Sequence, residues 1–255
     1  MRLPAIFTVL MLIPAAASAQ QDDENRTREY SQSPAVRARY ADVPIKLDAP
    51  GLAAGRDSYT THEEMIAAVG RIKARARNLH VGSLGTSQEG RDLPYLVFTA
   101  EGLSDAAAVK ALARPVVWLV GLQHGNEPAG GDAMLALASA LADGELKPLL
   151  ERVTVVIVPR ANPDGAAAFV RGSANGFDLN RDHLLLTLPE TRGLHARMTE
   201  LPPDVVIDAH EFSVANRWIE KFNVLQGADA MFLHATHPAV AKETTGLAEN
   251  LFRPA

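Results

Sequence analysis

Residues 116–122 read VVWLVGL, and residues 123–130, directly after them, read QHGNEPAG. The change of character at Gln123 decides the fold. An uncharged run rich in β-branched and aromatic residues suits a strand buried on both faces. Pro128 suits the first turn of a helix, and residues 128–142 are rich in Ala and Leu. A buried strand that passes within a few residues into a helix is the building unit of an α/β sheet.

The same signature recurs on both sides. Leu93 to Ala100 (LPYLVFTA), Val153 to Pro159 (VTVVIVP) and Val205 to Asp208 (VVID) are short apolar runs, read as buried strands. Helices are expected over residues 61–78, 189–200 and 238–251, the last two opening at Pro189 and Pro238. In the first helix Met65, Ile66, Val69 and Ile72 are expected on one face, with Ser58, Thr60, Glu63 and Glu64 offering capping groups. The pattern predicts a single α/β domain whose twisted, largely parallel or mixed sheet carries helices on both faces.

The N-terminus has a different composition. Arg2 is followed by an apolar stretch from Ala5 to Ala17 and then by Ala17-Ser18-Ala19, the pattern of an export signal over residues 1–19. The stretch falls short of the roughly 20 residues of a membrane span. Residues 20–56 are polar and interrupted by Pro34, Pro44 and Pro50, an extended lead-in to a domain over 57–255. The mature chain is therefore expected in the periplasm or secreted, with no membrane span. There are no cysteines, which removes thiol catalysis and leaves His, Asp and Glu as metal ligands. A net charge of −5 gives no basic footprint for nucleic acid.

In such sheets ligands bind beyond the carboxyl ends of strands, and three stretches there carry chemistry. His124 and Glu127 stand three apart at a strand-to-helix corner where Gly125 permits a sharp bend. His210 closes the VVID strand and offers the third ligand that leaves a catalytic zinc site open to water. Val214 stands where a His-Glu-x-x-His helix would need its second histidine, which excludes that motif. The third stretch runs Arg160-Ala161-Asn162-Pro163-Asp164-Gly165, then Arg171, then Asn175 to His183. Asn-Pro-Asp-Gly is a turn signal, and Arg171, Asn180 and Arg181 are donors suited to a carboxylate and a developing oxyanion.

The order His-x-x-Glu, Asn-Pro-Asp-Gly, Arg, Asp-x-Asn-Arg and strand-His, preceded by Ser87-Gln88-Glu89-Gly90-Arg91, resembles the zinc carboxypeptidase family, peptidase family M14, which includes carboxypeptidase A. The resemblance implies one Zn2+ ion held by His124, Glu127 and His210, with Asp178 fixing the ring of the first ligand. It implies that Arg171 polarises the scissile carbonyl, that Asn180 and Arg181 grip the terminal carboxylate of a peptide, and that residues are removed from C-termini. The family's general base is a glutamate ending a late strand. After His210 the glutamates here are Glu211, Glu220, Glu243 and Glu249, and none ends such a strand. The expectation is a domain without its last strands, as a fragment or a divergent member, whose hydrolysis needs a base from elsewhere. Two alternatives stay open: a non-catalytic zinc-dependent binder of peptides or cell-wall fragments, and an amidohydrolase of N-acyl amino acids.

Overall fold

The computed structural model describes residues 46–212, 217–223, 232, 233, 235 and 240–252. The expected export signal, residues 20–45 of the lead-in and the Pro238 start of the last helix lie outside the described residues. In chain order the elements are α1 (His62–Arg75), β1 (Leu79–Thr86), β2 (Asp92–Phe98), α2 (Ala106–Ala111), β3 (Val116–Gly121), α3 (Pro128–Ala142), β4 (Thr154–Val158), α4 (Pro163–Ala168), α5 (Pro189–Glu200), β5 (Val205–Ala209), α6 (Arg217–Phe222) and α7 (Lys242–Phe252). Short 3-10 turns lie at Pro50–Leu52, Lys147–Glu151 and Leu179–Arg181.

The strands form one sheet in the order β1-β2-β4-β3-β5. The β1/β2 and β2/β4 pairs are antiparallel, and β3 is parallel to both β4 and β5. The sheet is therefore mixed, with its parallel half built from the strands that precede the corners read above. β4 is buried throughout, and its residues alternate between the faces: Val155 and Ile157 join one core, Val156 and Val158 the other. The first core holds Met65, Val69 and Ile72 of α1 against Leu135, Ala138 and Leu141 of α3. The second packs Leu194 of α5 with Leu188, Leu201 and Trp118, whose indole N–H donates to the Leu201 carbonyl at 3.1 Å. Helices thus cover both faces, because a strand without polar residues needs apolar partners on each side.

Several expectations need correction. The strand β1 was not foreseen. Its Gly82 and Gly85 break the apolar alternation, and Gly82 is small because the Tyr95 ring of β2 lies where a side chain would stand. The first helix stops at Arg75, short of residue 78, since the chain must turn into β1. Its cap is Thr61, which accepts from Glu64 N–H while Glu64 reaches back to Thr61 N–H, the reciprocal pairing of a capping box. Thr60 instead turns inward and donates to Asp132. Ile66 stands off the buried face, which is Met65, Ala68, Val69 and Ile72. The VVID strand is not buried: β5 closes the described order, paired only with β3, and Val206 and Ile207 are 49% and 39% exposed.

Candidate metal centre

Parallel pairing of β3 and β5 sets Val120 opposite Asp208 and Gly121 opposite Ala209. The residues that follow these strand ends are therefore neighbours across the rim of the sheet. After β3 the chain kinks at Leu122, a buried residue held at φ +55°, and turns through His124 and Gly125 into α3. Gly125 is required at this turn. A Cβ there would collide with the backbone of Gly165 and Ala166 in α4, so the Asn-Pro-Asp-Gly segment and the His-x-x-Glu corner are packed main chain against main chain.

Glu127 is the residue on which the site converges. His124 Nδ1 lies 2.8 Å from its Oε1 and His210 Nδ1 lies 2.8 Å from its Oε2. The two imidazole centroids are 4.6 Å apart. One ligand atom from each of His124, Glu127 and His210 lies within 4.8 Å of the others, so the three can share one ion. Two imidazoles and a carboxylate are a donor set that suits zinc and leaves a position for water. The outward ring nitrogens fit the same reading, because each finds an acceptor. His124 Nε2 donates to Asp178 Oδ1 at 3.1 Å, and His210 Nε2 donates to Asp208 Oδ2 at 2.7 Å. A ring whose Nε2 proton is claimed by a carboxylate presents Nδ1 as its lone pair when it binds a metal.

The expected site residues around this cluster fall as follows. Asp178 stands behind His124, as expected, and its Oδ2 also accepts from Arg171 Nε at 3.1 Å. Arg171 reaches Glu127 Oε1 with NH1 at 3.2 Å, which puts its guanidinium at the edge of the cluster. The side-chain amide of Asn180 lies 2.9 Å from His210 Nε2, and because that nitrogen gives its proton to Asp208 the amide can meet it only through its carbonyl oxygen. Arg181 donates to the Asn180 carbonyl at 2.8 Å, is exposed, and has no ion-pair partner among the described residues. Of the late glutamates, Glu211 is committed elsewhere: its Oε1 accepts from Ala129 N–H at the first turn of α3 at 2.7 Å. Glu220 and Glu243 are exposed on α6 and α7.

The charges of the cluster hold one another. The Asp208 carboxylate, and then Glu127, outweigh burial and push His210 up to about 9. Burial pushes the Glu127 carboxyl up, but His210, His124 and the Glu211 N–H together hold it below the usual range. Burial likewise opposes ionisation of Asp178, and His124 and Arg171 overcome it.

Two features escaped the sequence reading. Asp208 ends the VVID run in the sequence, and its carboxylate holds His210 Nε2 at 2.7 Å, on the side that residues two apart along an extended chain share. The second is the meaning of Ser87-Gln88-Glu89-Gly90-Arg91. Buried Asp164 of the Asn-Pro-Asp-Gly turn accepts from Ser87 Oγ at 2.7 Å, Glu89 N–H at 3.0 Å and Arg91 NH1 at 2.7 Å. The two motifs are one clasp that fixes α4 under the metal-site corner.

Known proteins resemble this chain in the same region. The profile of the family described as zinc carboxypeptidase matches residues 65–213. Carboxypeptidase 2 of Trichophyton tonsurans is 37% identical over 168 residues, which is 65% of this chain and 31% of that protein. Human carboxypeptidase Z is 31% identical over 171 residues, 58% of this chain and 25% of that protein. The chain thus spans about a third of the length of the curated relatives it matches. Among solved structures, carboxypeptidase A of Helicoverpa armigera superposes with a TM-score of 0.53 at 20% identity, covering 78% of this chain and 54% of that one. Bovine thrombin-activatable fibrinolysis inhibitor gives 0.51 at 16% identity, over 61% of this chain and 62% of that one. These two likenesses concern the fold.

Proposed function

Because this chain belongs to the zinc carboxypeptidase family, we propose that it carries the metal-binding and chain-end-recognising part of a metallocarboxypeptidase that acts on peptides with a free C-terminal carboxylate. The observation that carries the reading is the convergence of His124, Glu127 and His210 on one point, each ring backed by its own carboxylate. In this reading the three residues hold one Zn2+ ion, which when bound supplies Lewis acidity and lowers the pKa of a water toward neutrality. Asp178 and Asp208 hold the two rings with Nδ1 inward. Arg171, anchored on Asp178 and Glu127, presents its guanidinium to the scissile carbonyl oxygen and steadies charge that develops there. Arg181, exposed and free of a carboxylate partner among the described residues, receives the substrate's terminal carboxylate, and Asn180 lies beside it. An internal peptide bond offers these donors no carboxylate, so they would be left unpaired at a cost. The export pattern of residues 1–19 supports a periplasmic or secreted location.

A second reading is favoured by one observation. Of the glutamates after His210, Glu211 accepts from the first turn of α3, and Glu220 and Glu243 lie exposed on α6 and α7. The chain by itself would then be a zinc-dependent binder of peptide termini. The experiment is to purify the chain, count zinc by mass spectrometry, and present blocked dipeptides with free or amidated C-termini together with a panel of N-acyl amino acids. One zinc per chain with binding of the free acids, lost in Arg181→Ala, supports the site. Turnover of the dipeptides selects the hydrolase, binding alone the binder, and preference for the acylated panel the amidohydrolase. Absence of zinc removes all three.

A further inference from the structure

We propose that His183 and His195 form a second, weaker site for a divalent transition-metal ion of the Zn2+ and Cu2+ class, separate from the His124, Glu127, His210 cluster. His183 lies in the turn that follows Asn180-Arg181, and His195 is on α5. His183 Nδ1 and His195 Nε2 face each other at 3.1 Å, with ring centroids 5.3 Å apart and planes tilted by 40°. Two imidazole nitrogens bound to one ion at about 2.0–2.1 Å, with an angle between right and tetrahedral at the metal, lie about 2.9–3.4 Å apart. The observed separation is inside that window. An ion can take the place of the proton now shared between the rings with rotation of the side chains alone.

The surroundings favour this exchange. Gln123 Oε1 accepts from His183 Nε2–H at 2.7 Å, which leaves the His183 lone pair on Nδ1, the atom that faces His195. Burial, and then the neighbouring His195, lower the proton affinity of His183, so that lone pair is available at neutral pH. The backbone on either side is rigid. Buried Asp182 accepts from Thr187 N–H at 3.0 Å and Leu188 N–H at 2.8 Å, and from the hydroxyls of Thr187 and Thr191. These bonds tie the His183 turn to the start of α5, and so hold both rings on one packed unit. The Asp208 and Asp182 carboxylates exert a favourable field on positive charge at His183. Two imidazoles without a carboxylate ligand select Zn2+, Ni2+ or Cu2+ over Mg2+ or Ca2+, with Cu2+ tightest. Two ligands in place of three make the site the weaker of the pair.

The competing description is a hydrogen bond between two neutral rings with no affinity for metal. The chain, first loaded with one equivalent of Zn2+, is titrated with Zn2+ alone and separately with Cu2+ alone, and bound metal is counted by mass spectrometry after equilibrium dialysis. Uptake of a second ion is expected, with its affinity lowered at least tenfold in His195→Gln, while His124→Ala, titrated without preloading, still binds one ion at that affinity. Equal uptake by the parent chain and a folded His195→Gln overturns the proposal. If His195→Gln fails the check of thermal melting, the nitrogen hyperfine pattern of Cu2+ bound to His124→Ala, whose first site keeps a single imidazole, decides. Two imidazole nitrogens are expected, and one or none overturns the proposal. The outcome does not depend on peptide hydrolysis, and the His124→Ala arm separates it from the first site.

Discussion

Replacing Asp178 with Asn tests whether the carboxylates behind the two rings set metal affinity. Asp178 Oδ1 accepts from His124 Nε2 at 3.1 Å and from Asn180 N–H at 2.9 Å, and Oδ2 accepts from Arg171 Nε at 3.1 Å. An asparagine cannot serve both sides. With its carbonyl toward His124, its amide meets the Arg171 N–H, donor against donor. With the amide toward His124, the ring must accept at Nε2, and its proton moves to Nδ1, where the ion needs a lone pair. Loss of such a partner costs about 10–100-fold in metal affinity, which is about 1.4–2.8 kcal/mol. The assay is zinc titration against a competing chelator, with melting of the metal-stripped protein as a control for folding. Asp208→Asn, which acts on His210 through a 2.7 Å bond, is expected to cost a similar amount. Zinc affinity of Asp178→Asn within twofold of the parent, with melting unchanged, would refute the reasoning.

Three further predictions follow from the geometry. His210 is raised to about 9 from an ordinary 6.5. In metal-stripped protein its contribution to stability should be complete below about pH 6.5 and vanish as pH rises through about 9. Zinc must displace that proton, so affinity should climb between pH 7 and 9 with proton uptake by buffer visible in calorimetry, and a flat profile would contradict the pairing. Gly125→Ala forces a Cβ into the backbone of Gly165 and Ala166. About 1–3 kcal/mol of stability should be lost in denaturant melts, as for overpacking, together with zinc affinity, and an unperturbed melt would show that the corner is loose. Asp164→Asn breaks the pair with Arg91, which keeps 29% exposure of its own. The cost should fall at the low end of that for a buried pair, about 3 kcal/mol, and a loss below 1 kcal/mol would mean that the clasp contributes little.

What the sequence made legible follows from how each feature is encoded. β2, β3 and β4 were readable because their burial on both faces demands uncharged, β-branched runs, and α3 and α5 because a proline stands at the first helical position of each. β1 was hidden because it pairs on one side only and tolerates Gly82, Gly85 and His80, which leave little periodic signal. Ile66 misled because apolar character alone does not place a residue on the α1 stripe, while Ala68, less conspicuous, is buried there. His124, Glu127 and His210 could be found as polar residues placed directly after strands. The contact between Arg91 and Asp164, 73 residues apart, could not, since neither motif carries a local mark of the other.

The site is best understood as a consequence of strand order. β3 and β5 are neighbours and parallel, so both chains leave the sheet at the same rim, and adjacent strands lie about 4.8 Å apart. Imidazoles set three and one residues beyond the paired positions Gly121 and Ala209 therefore begin at nearly the spacing that two ligands of one ion require, and their centroids are 4.6 Å apart. Glu127 closes the gap because it directly precedes α3, whose first turn is held to the segment after β5 by the Glu211 carboxylate on Ala129 N–H, while Glu211 N–H in turn donates to Glu127 Oε2 at 3.2 Å. Had β5 been antiparallel to β3, His210 would leave the sheet at the opposite rim, and no adjustment of side chains could bring it to Glu127. The His-x-x-Glu corner is thus informative only in company with a second histidine at the carboxyl end of the adjacent parallel strand, and it is the topology, more than either motif, that makes a three-ligand centre.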